Sequence, residues 1–200
     1  MNPETITGNY YNKHASKNPI EKYLLFRYKV ALLRLMNQIS FNSCYEVGSG
    51  EGYILQLLED NYSFELLIGS DIDFELMFES KKSKEAQNRI VNEADFLPFA
   101  KDQLDLILVC EVLEHLKNPK LFLSECNRLN SKYYIFTVPN EPLWRLLNIL
   151  RLKYLKDFGN TPGHLNHWTK HQLIKLISSY LDITEVFYCQ PWIFLLARPK

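Results

Sequence analysis

Hydrophobic positions in this chain fall alternately into short continuous runs and into stretches with helical spacing, and the changes between them divide it into strands and helices. Residues 20–39 carry an amphipathic pattern built on Tyr23, Leu24, Phe26, Val30, Leu33 and Leu35. With Lys22, Arg27, Lys29 and Arg34 on the outer face, they predict one long helix. Residues 43–47 read as a buried strand, and 53–58 as helical sequence with no breaker. Residues 64–71 predict a second strand ending on Asp71, helical sequence continues through Lys84, and residues 89–94 predict a third strand closed by Asp95. Residues 104–110 are the most continuous apolar run, as a central parallel strand buried on both faces requires. Residues 118–129 predict a helix, and 133–138 a fifth strand stopped by Pro139. Thr169-Lys170-His171-Gln172 is a capping box opening a helix to Tyr180. Residues 183–189 and 192–198, joined by Gln190-Pro191, predict an antiparallel hairpin.

Strands alternating with helices predict an α/β fold: a seven-stranded, mostly parallel sheet with helices on both faces and ligand at the carboxyl ends of the strands. The polar residues of interest gather there, since Glu46, Asp71, Asp95 and Glu111 close the first four strands in turn. Glu46-Val47-Gly48-Ser49-Gly50-Glu51-Gly52 joins the first strand to its helix through three glycines. Glycine lets a ligand approach the backbone, and the free N–H groups of the next helix point at it. In a dinucleotide fingerprint the third glycine comes one residue later, where Tyr53 stands here. A carboxylate at Glu46 repels phosphates and suits a cationic amine. A strand-to-helix turn that needs glycine for tightness alone is the other reading of this loop taken singly.

Composition narrows the field. The chain of 200 residues, 46% hydrophobic, fits one domain, residues 1–200, with an arm and helix in 1–40 and an insertion at 140–168. Lys plus Arg and Asp plus Glu both total 23, so no net field recruits nucleic acid. The four cysteines form no C-x-x-C pair, and no secretory signal or membrane-length apolar run is present, which predicts a cytoplasmic protein.

The ordered set of the glycine loop, Gly69-Ser70-Asp71-Ile72, Ala94-Asp95-Phe96-Leu97-Pro98-Phe99, and Leu104-Asp105-Leu106 with Val112-Leu113-Glu114-His115-Leu116 resembles the class I S-adenosylmethionine-dependent methyltransferases. The branch it is most similar to includes quinone-biosynthesis and other small-molecule enzymes, on a Rossmann-like sheet. The resemblance implies S-adenosyl-L-methionine as cofactor. It implies that Gly48, Ser49 and Gly50 approach the methionine part, near the carboxylate of Glu46. It implies further that Asp71 holds the ribose diol and that Asp95 reads the adenine amine. Ile72, Ala94 and Phe96 would flank the ring, Cys110 and Glu111 would line the wall by the sulfonium, and Tyr11 and His14 in the arm would close a lid.

Methyl transfer from a sulfonium asks the protein for alignment, exclusion of water and, for some acceptors, a base. His115 is the first candidate base, with a structural role as its rival reading. Glu111, Glu114 and His115 have the i, i+3, i+4 relation of a helical metal site, but that spacing seldom means a metal and none is expected. His164, His167 and Trp168, with Trp144 from the insertion, are the acceptor-side candidates, and His167 is the second candidate base; the other reading is that His164 and His167 tie their loop down by hydrogen bonds. Residues 143–156 interleave leucines with Arg145, Arg151, Lys153 and Lys156, which suits an ordinary packed helix with a solvated basic face, a cap over the site, an anionic or lipid-tailed acceptor, or a membrane surface. The expected reaction is methyl transfer to a small molecule, oxygen favoured. A nicotinamide-dependent oxidoreductase and a non-catalytic cofactor- or partner-binding protein are the alternatives, and oligomeric state is left open.

Overall fold

The computed structural model describes residues 18–79, 88–152 and 154–200. The elements are α1 (Pro19–Met36), β1 (Ser43–Val47), α2 (Tyr53–Asn61), β2 (Leu66–Asp71), α3 (Phe74–Glu79), β3 (Arg89–Val91), β4 (Leu106–Cys110), α4 (Pro119–Leu129), β5 (Tyr133–Pro139), α5 (Leu143–Leu150), α6 (Lys170–Ser178), β6 (Leu181–Cys189) and β7 (Trp192–Pro199). The seven strands form one sheet in the order β3-β2-β1-β4-β5-β7-β6. β1 to β5 are parallel, and β7 runs antiparallel between β5 and β6.

Burial on both faces follows the two-residue period of the strands. Ile107 and Val109 of β4 face a core completed by Phe122 and Leu123 of α4 and Leu173 and Ile177 of α6. Leu106 and Leu108 face the opposite way, toward Leu32 and Leu35 of α1 and Leu55 and Leu58 of α2. At the amino end of the sheet, Asp105 Oδ2 accepts from Asn42 N at 2.7 Å and Ser43 N at 3.1 Å, and Lys132 Nζ lies 2.6 Å from Asp105 Oδ1. This knot ties the start of β1 to the turn before β4.

The capping box at Thr169 is present with both of its hydrogen bonds, and Asp73 caps α3 by accepting from Leu76 N at 3.0 Å. Several boundaries differ from expectation: β2 and β4 begin two residues later, at Leu66 and Leu106, and β6 two residues earlier, at Leu181. α1 ends at Met36, with Asn37 as its cap, instead of reaching Ile39. β3 stops at Val91, because Glu93 O accepts from Phe96 N and turns the chain there, so Asp95 sits in a loop beyond the strand. Pro139 is the last residue of β5 and does not stop it short, since no donor is needed from proline at a strand end. Helix beyond Glu79, and Tyr11 and His14 in the arm, lie outside the described residues. Among the described residues no helix is long and apolar enough to cross a membrane.

Candidate active site

The glycine loop turns sharply at the carboxyl end of β1. Gly48, Gly50 and Gly52 have φ of 70°, 50° and 82°, in the left-handed region where a Cβ is strained. Gly48 and Gly52 are further fixed by crowding: a Cβ on Gly48 would lie 2.5 Å from Val112, and one on Gly52 would run into the Arg89 guanidinium. Ser49 N donates to Ser70 O at 2.7 Å and Gly50 N to Asp71 Oδ2 at 2.8 Å, so the end of β2 holds the loop. Asp71 Oδ1 accepts from Asp73 N at 3.0 Å. Burial pushes the Asp71 carboxyl up, against these N–H groups, which pull it down.

Glu46 lies beneath this loop and is 2% exposed. Its pKa is raised to about 8 by burial, against the pull of the Arg89 cation, and its Oε2 accepts no hydrogen bond. Ile72 and Phe96 are 40% and 69% exposed, large apolar side chains open to solvent on the loops after β2 and β3. The Asp95 loop is clamped from behind: Arg128 donates to Leu97 O at 2.8 Å and Phe99 O at 3.0 Å, and Glu125 Oε2 accepts from Leu97 N at 3.2 Å. Ala94 packs on the core, and Asp95 is pushed up by burial and then by Glu93.

The carboxyl end of β4 opens a second cluster. Glu111 has φ of 56°, a strained conformation for a residue with a Cβ, and its Oε1 accepts from Trp192 Nε1. Cys110 beside it is a free thiol, raised by burial. Tyr28 of α1 bonds Thr137 Oγ1 at 2.7 Å and meets the Trp192 ring at 5.0 Å, which brings α1 to this edge. Residues 113–115 form a single tight helical turn, not the α-helix that an i, i+3, i+4 metal site needs. Glu111 therefore turns to Trp192, and His164 from the loop after α5 takes its place. One ligand atom from each of Glu114, His115 and His164 lies within 4.8 Å of the others.

His115 Nδ1 lies 2.9 Å from Gly163 O. A carbonyl only accepts, so Nδ1 carries the proton, and in a neutral ring of this tautomer Nε2 is the acceptor nitrogen. His164, buried, meets the His115 ring edge-on at 4.9 Å and stacks under Trp144 at 6.5 Å. Trp144 donates to Thr161 Oγ1 at 2.9 Å, which ties α5 to this loop. A small hollow between Glu114, Val138, Glu141, His164 and Trp168 completes the cluster.

The structure thus brings His115, His164, Trp144 and Trp168 together and leaves His167 apart. His167 is exposed, its Nε2 bonded to Asn160 Oδ1 at 2.7 Å, because Leu165 N and Asn166 N both donate to Glu114 O and turn the chain outward. Arg89, Trp192 and Glu141 did not emerge from the sequence. Arg89 stands out only once the strand register is known, and Trp192 and Glu141 lie in apolar or turn-forming stretches without a polar signature.

Residues 45–132 match the family model described as a methyltransferase domain. No curated protein shows a significant sequence match. Among solved structures, a protein of Pyrococcus horikoshii is 17% identical, with TM-score 0.72 over 92% of this chain and 93% of that one. The methyltransferase bound to the Trm112 activator of Haloferax volcanii is 15% identical, with TM-score 0.68 over 90% of this chain and 92% of that one. Magnesium protoporphyrin IX methyltransferase of Synechocystis, solved with bound SAH, is 16% identical, with TM-score 0.64 over 92% of this chain and 89% of that one. At these identities the likeness is one of fold.

Proposed function

We propose that this chain, an S-adenosylmethionine-dependent methyltransferase by its matched domain and its fold, transfers a methyl group to a small-molecule acceptor, with oxygen the favoured accepting atom. The observation that carries the reading is the left-handed turn at Gly48–Gly52 gripped by Asp71, at the carboxyl edge of adjacent parallel strands and next to the His115 and His164 pair.

The cofactor supplies a methyl group on a cationic sulfur that is already a good leaving group. In our reading Gly48, Ser49 and Gly50 let its methionine part approach the backbone, above the buried carboxyl of Glu46. Asp71 accepts from the ribose diol with the lone pairs that Gly50 and Asp73 leave. Asp95 accepts from the adenine amine, and Ile72, Phe96 and Ala94 sandwich the ring, which gives the two exposed apolar side chains a partner. Cys110 and Glu111 wall the sulfonium side.

On the acceptor side, Trp144, Trp168 and His164 form the pocket, and His115 Nε2 takes the proton of an acceptor hydroxyl as the methyl group is attacked in line. The accepting oxygen gains the carbon, the carbon–sulfur bond breaks toward sulfur, and the proton ends on His115. This favours His115 over His167 as base, because the Gly163 carbonyl fixes the tautomer that a base needs.

A second reading adds a divalent cation, held by Glu114, His115 Nε2 and His164, and rests on the convergence of their ligand atoms. The Gly163 carbonyl then serves as the outer partner that orients a ligating imidazole. Such an ion would lower the pKa of a bound acceptor hydroxyl.

α5 and the turn after it expose Leu146, Leu150, Leu152 and Phe158 beside Arg145, Arg151 and Lys156. We read this rim as the mouth for an apolar or anionic acceptor, and as a contact for an anionic lipid surface without a membrane span. Incubation with methyl-labelled cofactor and a panel of hydroxylated, amine and carbon acceptors, with and without chelator, tests the reading. Label in a hydroxylated small molecule supports it, and label only in protein, RNA or DNA contradicts it. Activity lost to chelator and restored by magnesium or zinc selects the second reading.

A further inference from the structure

The strand register sets three residues in one rung across the sheet: Glu46 of β1 pairs with Gly69 of β2, and Gly69 with Arg89 of β3. All three face the side covered by α2, and the middle position has no side chain. Arg89 uses that freedom. Its Nη1 lies 3.5 Å from Gly50 O and 3.2 Å from Met77 O, so one guanidinium spans the glycine loop and α3. Gly52 is glycine for the same reason, since its Cβ would overlap Nη2.

We infer that Arg89 is a positioning residue for the cofactor, holding the glycine loop in its binding shape and placing a cation beside Glu46 that eases loss of its proton when the amine arrives. The inference rests on the methyltransferase reading, in which an amine arrives over Glu46. The groups facing Glu46 are Arg89 from β3, Asp71 from β2, the backbone N–H of Leu55 from α2, and the thiols of Cys44 and Cys110 from β1 and β4. Glu59 of α2 faces Arg89. Arg89 is the cation of this set. A carboxyl so enclosed is protonated until about pH 8 even with Arg89 in place. Binding of a cationic amine favours the deprotonated form, so affinity rises with pH up to that midpoint. Removing the guanidinium loosens the loop and moves the midpoint upward.

The test is calorimetric titration of the wild type, Arg89→Met and Arg89→Lys with S-adenosylhomocysteine from pH 6 to 8.5, with thermal melts to verify folding. Arg89→Met is expected to bind about tenfold more weakly at pH 7 for each unit by which its midpoint rises. Arg89→Lys, which restores the charge without the fork, should recover part of the loss. If Arg89→Met does not fold, Arg89→Lys carries the test, with a smaller loss in the same direction. Folded variants with wild-type affinity and an unmoved midpoint overturn the inference while leaving the methyltransferase reading intact. Failure of the wild type to bind S-adenosylhomocysteine overturns both.

Discussion

His115 and His164 meet ring edge to ring face with centroids 4.9 Å apart, although one follows β4 and the other lies in the loop after α5. The contact joins the carboxyl end of β4 to the loop that follows α5. It predicts that His115→Ala lowers methyl transfer to a hydroxyl by about a hundredfold to ten-thousandfold, the range of general base catalysis. S-adenosylhomocysteine affinity should stay unchanged. His167→Ala, on an exposed ring tied to Asn160, should leave turnover within a few-fold of wild type. Parallel turnover and titration measurements on the two variants check this.

Asp71 serves twice, accepting from Gly50 N and, in our reading, from the ribose. Asp71→Asn keeps the size and loses the charge, and it should weaken S-adenosylhomocysteine binding by about 1 to 3 kcal/mol. Adenosine, which carries the same diol without the homocysteine part, should weaken in step. A titration in which only S-adenosylhomocysteine weakens would remove the diol contact.

Glu46 imposes a pH dependence on the protein without ligand. Its pKa is raised in the folded state to about 8 from the ordinary value of 4.5, so the folded state holds its proton longer than the unfolded one. This group's contribution to stability therefore falls as pH rises between those values. Glu46→Gln should melt at a higher temperature than wild type at pH 8 and show little difference at pH 4, read by thermal denaturation.

Asp105 acts in the opposite sense. Burial pushes its carboxyl up, and the hydrogen bond and ion pair from Lys132 with the N–H groups of Asn42 and Ser43 together outweigh it and hold the group down to about 2. The stability it gives is present above the ordinary value of 3.8 and is lost as pH falls through about 2. Asp105→Asn should lower the melting temperature at pH 7, and the difference should close as pH approaches 2.

Much of this was legible in the residues. The alternation of periods yields seven strands and their mostly parallel order, because buried strands such as 106–110 are apolar throughout while the helices carry a polar face. The capping box at Thr169 was readable because it is a local pair of hydrogen bonds between near neighbours. The acceptor side was harder. Whether Glu111 or His164 joins Glu114 and His115 depends on residues 113–115 making one tight turn and on a loop that returns from α5, and neither is written in spacing. Arg89 was invisible for a like reason, since its role exists only through the pairing of three strands. His167 and His164 differ by three positions in a polar loop, and only the hydrogen bonds to Glu114 O decide which ring turns inward.

The central claim is that an adenosyl sulfonium compound rests on the turn at Gly48–Gly52, and competitive calorimetry with S-adenosylhomocysteine and NAD tests it most directly. The account predicts saturable binding of the homocysteine compound at one site per chain and no heat from NAD. Saturable NAD binding, with no response to S-adenosylhomocysteine, would contradict it.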